Sequence, residues 1–193
     1  MFLLYKAATT GLPVWKAADD DASQPHIVEL VAMLCNSTGD RVETLCLIVR
    51  PDGWEIPAQS TAIHGITEVE AKASPIDEQT ALGRFLGMMV KAHTRVGWNE
   101  PFDSRIIRIA LARYLPETVE GWGRQTAICA MRQTLDYLAE TDPGTFHGRT
   151  LKLQAAWDHL YPSEPQDVTE STLDTVEACR RLFFATKLRG GER

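Results

Sequence analysis

The chain has 193 residues, of which 44% are hydrophobic and 24% are charged. This is the composition of a folded globular protein, and we expect one domain over residues 1–193. No apolar run approaches the roughly 20 residues that cross a bilayer, and no signal peptide is recognisable, so we expect a cytoplasmic protein without a membrane partner. The net charge of −6 excludes a protein that is basic throughout and binds nucleic acid by charge alone.

The first third of the chain has the pattern of β-strands. Apolar runs rich in Val, Ile and Leu predict strands over residues 2–7, 26–36 and 42–50. The sequence Ser-Thr-Gly-Asp at residues 37–40 predicts a hairpin turn between the second and third strands. The acidic run at residues 19–21 lies in the first loop, where we expect it to be solvated.

From residue 51 onward the apolar spacing becomes helical. A short helix is predicted inside a long loop over residues 51–75, and a short strand at residues 95–98. The predicted helices cover residues 67–73, 76–93, 103–115, 126–139, 151–161 and 172–188. On the helix over 103–115, Arg105, Arg108 and Arg113 are expected to point outward. A sheet whose helices can cover both of its faces is an α/β fold.

Two short segments carry residues capable of chemistry. Asp103 stands at a strand-to-helix junction, where an aspartate can cap the helix, bind a metal, or do both, and its spacing favours capping. His64 precedes Gly65 in a turn, and by itself this indicates a histidine that is hydrogen-bonded within a loop.

These segments resemble the motifs of the DnaQ-like (DEDD) 3′–5′ exonucleases, whose fold is similar to ribonuclease H. The first strand of that family carries D-x-E followed by T-T-G-L-P, and residues 8–13 read A-T-T-G-L-P. The family's I-H-G-I-T stands at residues 63–67, its N-x-x-F-D at 99–103, and its H-x-A-x-x-D falls on 170–175. The resemblance spans residues 2–188 and implies a ribonuclease H-like mixed β-sheet flanked by helices on both faces.

The chemistry of such exonucleases uses four carboxylates and one histidine. The carboxylates hold two divalent ions that activate a water, and the histidine is the general base. Alignment of the motifs leaves Asp103 as the sole retained acid. The remaining catalytic positions are degenerate and hold Lys6, Ala8, Glu170 and Thr175.

One carboxylate cannot hold two ions of this oxygen-seeking kind. A lysine ammonium about 4 Å from a divalent ion would repel it by roughly 8 kcal/mol at an effective dielectric constant near 20. We therefore expect no metal and no other cofactor, and an ion pair between Lys6 and Asp103 in the former metal site. Asp174 would not restore the site, because a shift of one residue turns a helical side chain by about 100°. Instead, Ser171 and Asp174 have the spacing of a capping box.

The resemblance also implies a nucleic-acid-binding surface around the terminal nucleotide. Leu12 would wedge against a base, and aromatic rings could stack on bases. For Trp98 and Phe102 the alternative is core packing, and for Thr9 and Thr10 it is turn formation. The full set of expected binding residues is Thr9, Thr10, Leu12, His64, Trp98, Asn99 and Phe102.

Three functions remain open at this stage. The first is a catalytically inactive exonuclease homologue that binds single-stranded DNA or RNA 3′ ends. The second is a protein-binding regulatory module without nucleic-acid contact, which the acidic charge favours. The third is an active exonuclease that uses Mg²⁺ or Mn²⁺ with rearranged ligands. A basic groove around Lys6, Arg105 and Arg108 would support the first.

Overall fold

The structure, a computed structural model, describes residues 1–146, 148 and 150–190, the last three of these as backbone only. Its centre is a mixed five-stranded sheet. In chain order the strands are β1 (Phe2–Thr9), β2 (Ile27–Cys35), β3 (Arg41–Ile48), β4 (Thr94–Gly97) and β5 (Thr126–Cys129). Their order across the sheet is β3-β2-β1-β4-β5, with β1 antiparallel to β2 and parallel to β4.

Eight α-helices lie within the described residues, and a 3₁₀ turn at Pro116–Thr118 precedes the fifth of them. They are α1 (Ala58–His64), α2 (Glu68–Ala73), α3 (Glu78–Met89), α4 (Glu100–Tyr114), α5 (Val119–Arg124), α6 (Ala130–Thr141), α7 (Leu153–Leu160) and α8 (Thr172–Gly190). In the part of the chain that the structure describes, no helix is both long and apolar enough to cross a bilayer.

The two faces of the sheet bury separate cores, because side chains alternate along each strand. On one face Tyr5 of β1 packs with Phe85 of α3 and Ile107 of α4. On the other face Leu4 packs with Phe183 of α8. The α/β fold with helices on both faces, predicted from the sequence, is confirmed. Central strand β1 therefore carries residues to both cores, and its end lies between them.

Several helical segments differ from the prediction, and helix α5 is one that was not predicted. The first four residues predicted as helix at 126–139 form strand β5, since they pair in parallel with β4 and this pairing decides their conformation. Helix α1 lies inside the predicted long loop, where Pro57 precedes it without a side-chain cap bond. Helix α4 begins at Glu100, three residues before the predicted start, with Pro101 in its first turn.

The loop between β1 and β2 is tied to α4 by charge, so the expectation that its acidic run is solvated is wrong for Asp19. The Asp19 carboxylate forms ion pairs with Arg105 and, at 2.5 Å, with Arg108. Arg113 does not point freely outward either, because it forms an ion pair with buried Glu78 at 3.4 Å. The three arginines of α4 therefore fix neighbouring segments of the fold.

Candidate nucleic-acid interface

A groove of about 200 Å³ opens at the end of β1, between α1, the start of α4 and the segment that leads into α8. Eight of the residues predicted from the motifs line it, and these are Lys6, Ala8, Thr9, Leu12, His64, Phe102, Glu170 and Thr175. The order of the sheet explains why distant motifs meet, since β1 is central and the other elements approach its end.

Part of the groove wall was not predicted from the sequence. Ser60 and Ile63 of α1 line it, as do Ser171 and Thr172 at the start of α8. The signal for Ile63 was present, because this residue opens the I-H-G-I-T motif. Ile63 is 86% exposed and Leu12 is 78% exposed, so two large apolar side chains stand at the groove with little packing of their own.

The backbone at the end of β1 is shaped by hydrogen bonds of Thr9 and Thr10. The hydroxyl of Thr9 donates to the carbonyl of Gly11 at 2.8 Å, while Thr9 also lines the groove. Thr10 Oγ1 accepts from the backbone N–H of His26 at 3.0 Å, and its carbonyl accepts from the Ser60 hydroxyl at 2.7 Å. Thr10 therefore anchors the loop and does not line the groove, as the alternative of turn formation predicts.

Trp98 and Asn99 are also placed away from the groove lining. The indole N–H of Trp98 donates to the carbonyl of Leu151 at 3.1 Å, and its ring packs against two apolar clusters. Trp98 thus has the packing role that was its alternative. Asn99 is exposed at the N-cap position of α4 and makes no side-chain cap bond. Contact of either residue with nucleic acid stays a prediction.

Asp103 lies below the groove rather than in its wall. It is in the first turn of α4, beyond the N-cap position, so the capping role favoured by its spacing is wrong. Its side chain is buried at 3% exposure, and Oδ1 accepts a hydrogen bond from the backbone N–H of Ala7 at 3.1 Å. Burial raises the pKa of Asp103, although the charge of Lys6 and the Ala7 N–H act in the opposite direction.

The predicted ion pair between Lys6 and Asp103 is not formed, because no nitrogen–oxygen distance of 4.0 Å or less joins these two described residues. Lys6 alternates with Tyr5 along β1 and therefore projects toward the α8 side, whereas the Asp103 oxygen is directed to the β1 backbone. Lys6 and Thr175 line both the groove and a small space beside Asp103. The lysine charge thus acts on the carboxylate through space.

The side chain of His64 lines the same groove, and one of its ring nitrogens has no partner among the described residues. It ends α1, where Gly65 takes the left-handed conformation at φ 78°. Its Nδ1 accepts the backbone N–H of Ile66 at 3.1 Å, so neutral His64 carries its proton on Nε2. Nε2 is buried and has no hydrogen-bond partner among the described residues. Burial lowers the pKa of His64, which favours this neutral form.

The residues that the motifs align with metal ligands of the exonucleases do not fit a pair of divalent ions. Within residues 1–146, 148 and 150–190, no three His, Cys, Asp or Glu side chains lie together as a metal site. Glu29, the register partner of Ala8 on β2, is a further carboxylate on this side. The Thr172 hydroxyl bonds it, and burial raises its pKa. The carboxylates of Asp103 and Glu29 thus both accept hydrogen bonds from groups of the protein.

The start of α8 is fixed by Ser171 and Asp174, as their spacing predicts. The Asp174 backbone N–H donates to the Ser171 hydroxyl at 3.1 Å, and that hydroxyl donates to the Asp174 carboxylate. Asp174 is therefore occupied at the helix end and does not replace the aligned acid.

Arg105 and Arg108 do not extend the groove, since both are held by Asp19. The basic groove that would support nucleic-acid binding is therefore reduced to Lys6.

Comparison with known proteins supports the resemblance seen in the motifs. No known family profile matches the sequence. A DNA polymerase III subunit epsilon-like protein of Rhodobacter capsulatus is 33% identical over 109 residues, which are 55% of this chain and 14% of that protein. The chain thus spans a small part of the length of this relative.

Solved structures show the same fold at low sequence identity. A complex of Escherichia coli exonuclease I with single-stranded DNA, in a zinc-bound form, superposes with a TM-score of 0.72 at 17% identity, over 99% of this chain and 41% of that one. Exonuclease X bound to duplex DNA with a 5′ overhang gives a TM-score of 0.58 at 20% identity, over 100% and 95% of the two chains. The chain therefore has the ribonuclease H-like fold of the DnaQ-like exonucleases, and the resemblance that its motifs indicated is confirmed.

Proposed function

We propose that this protein is a DnaQ-like exonuclease homologue that no longer cleaves and that binds the 3′ end of single-stranded nucleic acid. The observation that carries the proposal is the state of Asp103. The sole retained acid of the four is buried below the groove and accepts the Ala7 N–H, while a lysine occupies the position of the first acid. A carboxylate that is used as a structural acceptor next to a cation is a poor ligand for a divalent ion.

Retention of binding is supported by the character of the groove. Its walls include the apolar side chains Leu12, Ile63 and Phe102, which suit the faces of a base and a sugar. Lys6 adds a cationic donor to this apolar surface, and His64 adds a polar ring. Exonuclease I and exonuclease X, which have this fold, are both found in complexes with DNA.

A protein-binding module without nucleic-acid contact is the second candidate. The observation that favours it is that Asp19 holds Arg105 and Arg108 outside the groove lining, so that Lys6 is the one lysine or arginine among the described groove-lining residues of an acidic chain. Fluorescence anisotropy with a labelled single-stranded DNA and an RNA of the same sequence, at low salt, separates the two. Binding at micromolar protein supports our proposal, and no change up to high micromolar protein favours the protein-binding module.

A cleavage assay tests the loss of activity. A 5′-labelled oligonucleotide is incubated with the protein and Mg²⁺ or Mn²⁺, with an active exonuclease as a positive control. We expect the oligonucleotide to remain at full length. Stepwise shortening that disappears in Asp103→Ala would show instead an active exonuclease with rearranged ligands.

A further inference from the structure

We propose that the Lys6 ammonium replaces the divalent ions as the counter-charge for the last phosphodiester of the strand, so that the groove binds a 3′ end without metal. This inference rests on the proposed binding function and adds to it the chemical group recognised and the residue that recognises it. The same lysine that makes the site unsuitable for a pair of metal ions would then bind the phosphate itself.

Lys6 is a cation at the groove without a partner among the described residues. Its side chain is half-buried, lines the groove, and makes no hydrogen bond or ion pair of 4.0 Å or less within the described part of the chain. The obvious partner, Asp103, is directed to the Ala7 N–H. An ammonium group has three donors, and Lys6 Nζ is not among the buried atoms that lack a partner, so its donors are open to the groove. A phosphate oxygen in the groove would accept from them.

His64 is a second polar residue of the same groove. Its Nδ1 is occupied by the Ile66 N–H, so the neutral ring has its proton on Nε2, a buried atom without a partner among the described residues. Buried donors are normally hydrogen-bonded, and this one belongs to a side chain that lines the groove, where a ligand oxygen could become its acceptor. A cation and a neutral donor beside apolar walls match a phosphate with its attached base and sugar.

The groove is small and carries charges of both signs. Its volume of about 200 Å³ lies below the ~300–1,000 Å³ of typical ligand pockets, so a segment of several nucleotides would not fit inside it. Glu170, which lines the groove, opposes a phosphate by its charge. Lys6 and Glu170 therefore act on the ligand in opposite directions, and this provides two variants with opposite expected effects.

The experiment measures the dissociation constant of a 5′-labelled single-stranded oligonucleotide by anisotropy, in EDTA and in Mg²⁺. For the wild type we expect the two values to agree within about twofold. Lys6→Gln should weaken binding at least tenfold and reduce the slope of log K against log salt concentration by about one. Glu170→Gln should strengthen binding, and because Glu170 is exposed this variant is expected to fold.

Lys91→Gln is the matched control, because it removes one positive charge from an exposed ion pair with Glu43 and does not line the groove. Its binding should equal that of the wild type. A circular oligonucleotide of the same sequence, which has no 3′ end, should bind at least tenfold more weakly than the linear one.

Binding that requires Mg²⁺, or that Lys6→Gln and Lys91→Gln weaken equally, would overturn this inference and leave the proposed binding function intact. Equal binding of the linear and circular oligonucleotides would overturn recognition of the end. Absence of binding under all conditions would overturn the proposed function and this inference with it.

Discussion

The carboxylate of Asp103 and the backbone N–H of Ala7 are joined by a hydrogen bond of 3.1 Å, which ties the first turn of α4 to central strand β1. The retained acid of the exonuclease motifs thus has a structural partner. Burial raises its pKa, which means that the ionised form is disfavoured in the folded protein relative to the unfolded chain.

We therefore expect Asp103→Asn to increase the free energy of unfolding at pH 7, since the amide oxygen accepts the same N–H without a buried charge. An acid with a raised folded pKa destabilises the wild type above its unfolded pKa, and this penalty disappears as the pH falls below that value. The advantage of Asp103→Asn in urea denaturation should thus shrink toward pH 3.5, just below the unfolded pKa of about 3.9.

Asp103→Ala is the contrasting variant, because it removes the charge and also leaves the Ala7 N–H without its acceptor. It should be less stable than Asp103→Asn by about 1–3 kcal/mol at pH 7. A stability of Asp103→Asn that is lower than wild type by the same amount at every pH would contradict this account.

The second prediction concerns a buried ion pair on the α4 side of the sheet. Arg95 is 5% exposed and Glu100 is 7% exposed, and Arg95 Nε lies 2.8 Å from Glu100 Oε1. The Tyr5 hydroxyl also donates to this carboxylate at 3.2 Å. Because Glu100→Gln leaves the arginine charge uncompensated in the core, we expect a loss of about 3–5 kcal/mol in the free energy of unfolding.

Glu120→Gln is the matched control for Glu100→Gln. It breaks the pair with Arg124, in which both side chains are largely exposed, and exposed pairs contribute about 0–1 kcal/mol. Urea denaturation of the two variants at one pH gives the comparison. Equal losses in the free energy of unfolding would show that burial does not determine how much the Arg95–Glu100 pair stabilises the protein.

The sequence predicted those elements whose conformation follows from the local pattern of apolar residues. Strands β1, β2 and β3 have long apolar runs, so they could be read from the sequence. Strand β5 has only four residues and exists because it pairs with β4, some 30 positions earlier, which no local pattern reveals. The pairing of Asp19 with Arg105 was missed for the same reason, since composition alone makes an acidic run look solvated.

In the site, too, the residues with a sequence motif were predicted, whereas contacts that depend on the folded structure were not. Motif residues identified most of the groove, because their spacing reflects the family fold. The Lys6–Asp103 pair was predicted from the alignment of the motifs and from opposite charges, and it was wrong, since the sequence does not show that a backbone N–H reaches the carboxylate first. The partnerless Nε2 of His64 could not be predicted either, because it depends on how the Ile66 N–H meets the ring.

The third prediction tests the loop between β1 and β2. Asp19→Asn removes the charge that holds Arg105 and Arg108, so we expect a loss of about 1–3 kcal/mol in the free energy of unfolding and faster proteolysis within this loop. The neighbouring Asp20 is exposed, and Asp20→Asn should change stability by less than about 0.5 kcal/mol. Similar proteolysis of both variants would contradict a role for Asp19 in fixing the loop.

The fourth prediction is that acids at positions 6 and 8, where the exonuclease motif has Asp and Glu, allow the protein to bind a divalent ion. The double variant Lys6→Asp, Ala8→Glu places two carboxylates near Asp103, as the exonuclease motif has them. Without metal we expect it to melt below the wild type, because like charges now lie together. With Mn²⁺ at about 100 times its dissociation constant, binding to the folded state should stabilise it by about 2.7 kcal/mol, or roughly 5–10 °C.

The wild type should show no such shift, since Lys6 repels the ion and Asp103 is held by Ala7. Adding Asp103→Asn to the double variant should remove most of the gain, because one of the three acids is then neutral. EDTA should reverse the shift in the double variant. If Mn²⁺ raised the melting temperature of the wild type and of the double variant equally, the substituted positions would not be what prevents metal binding, and the argument from Lys6 would fail.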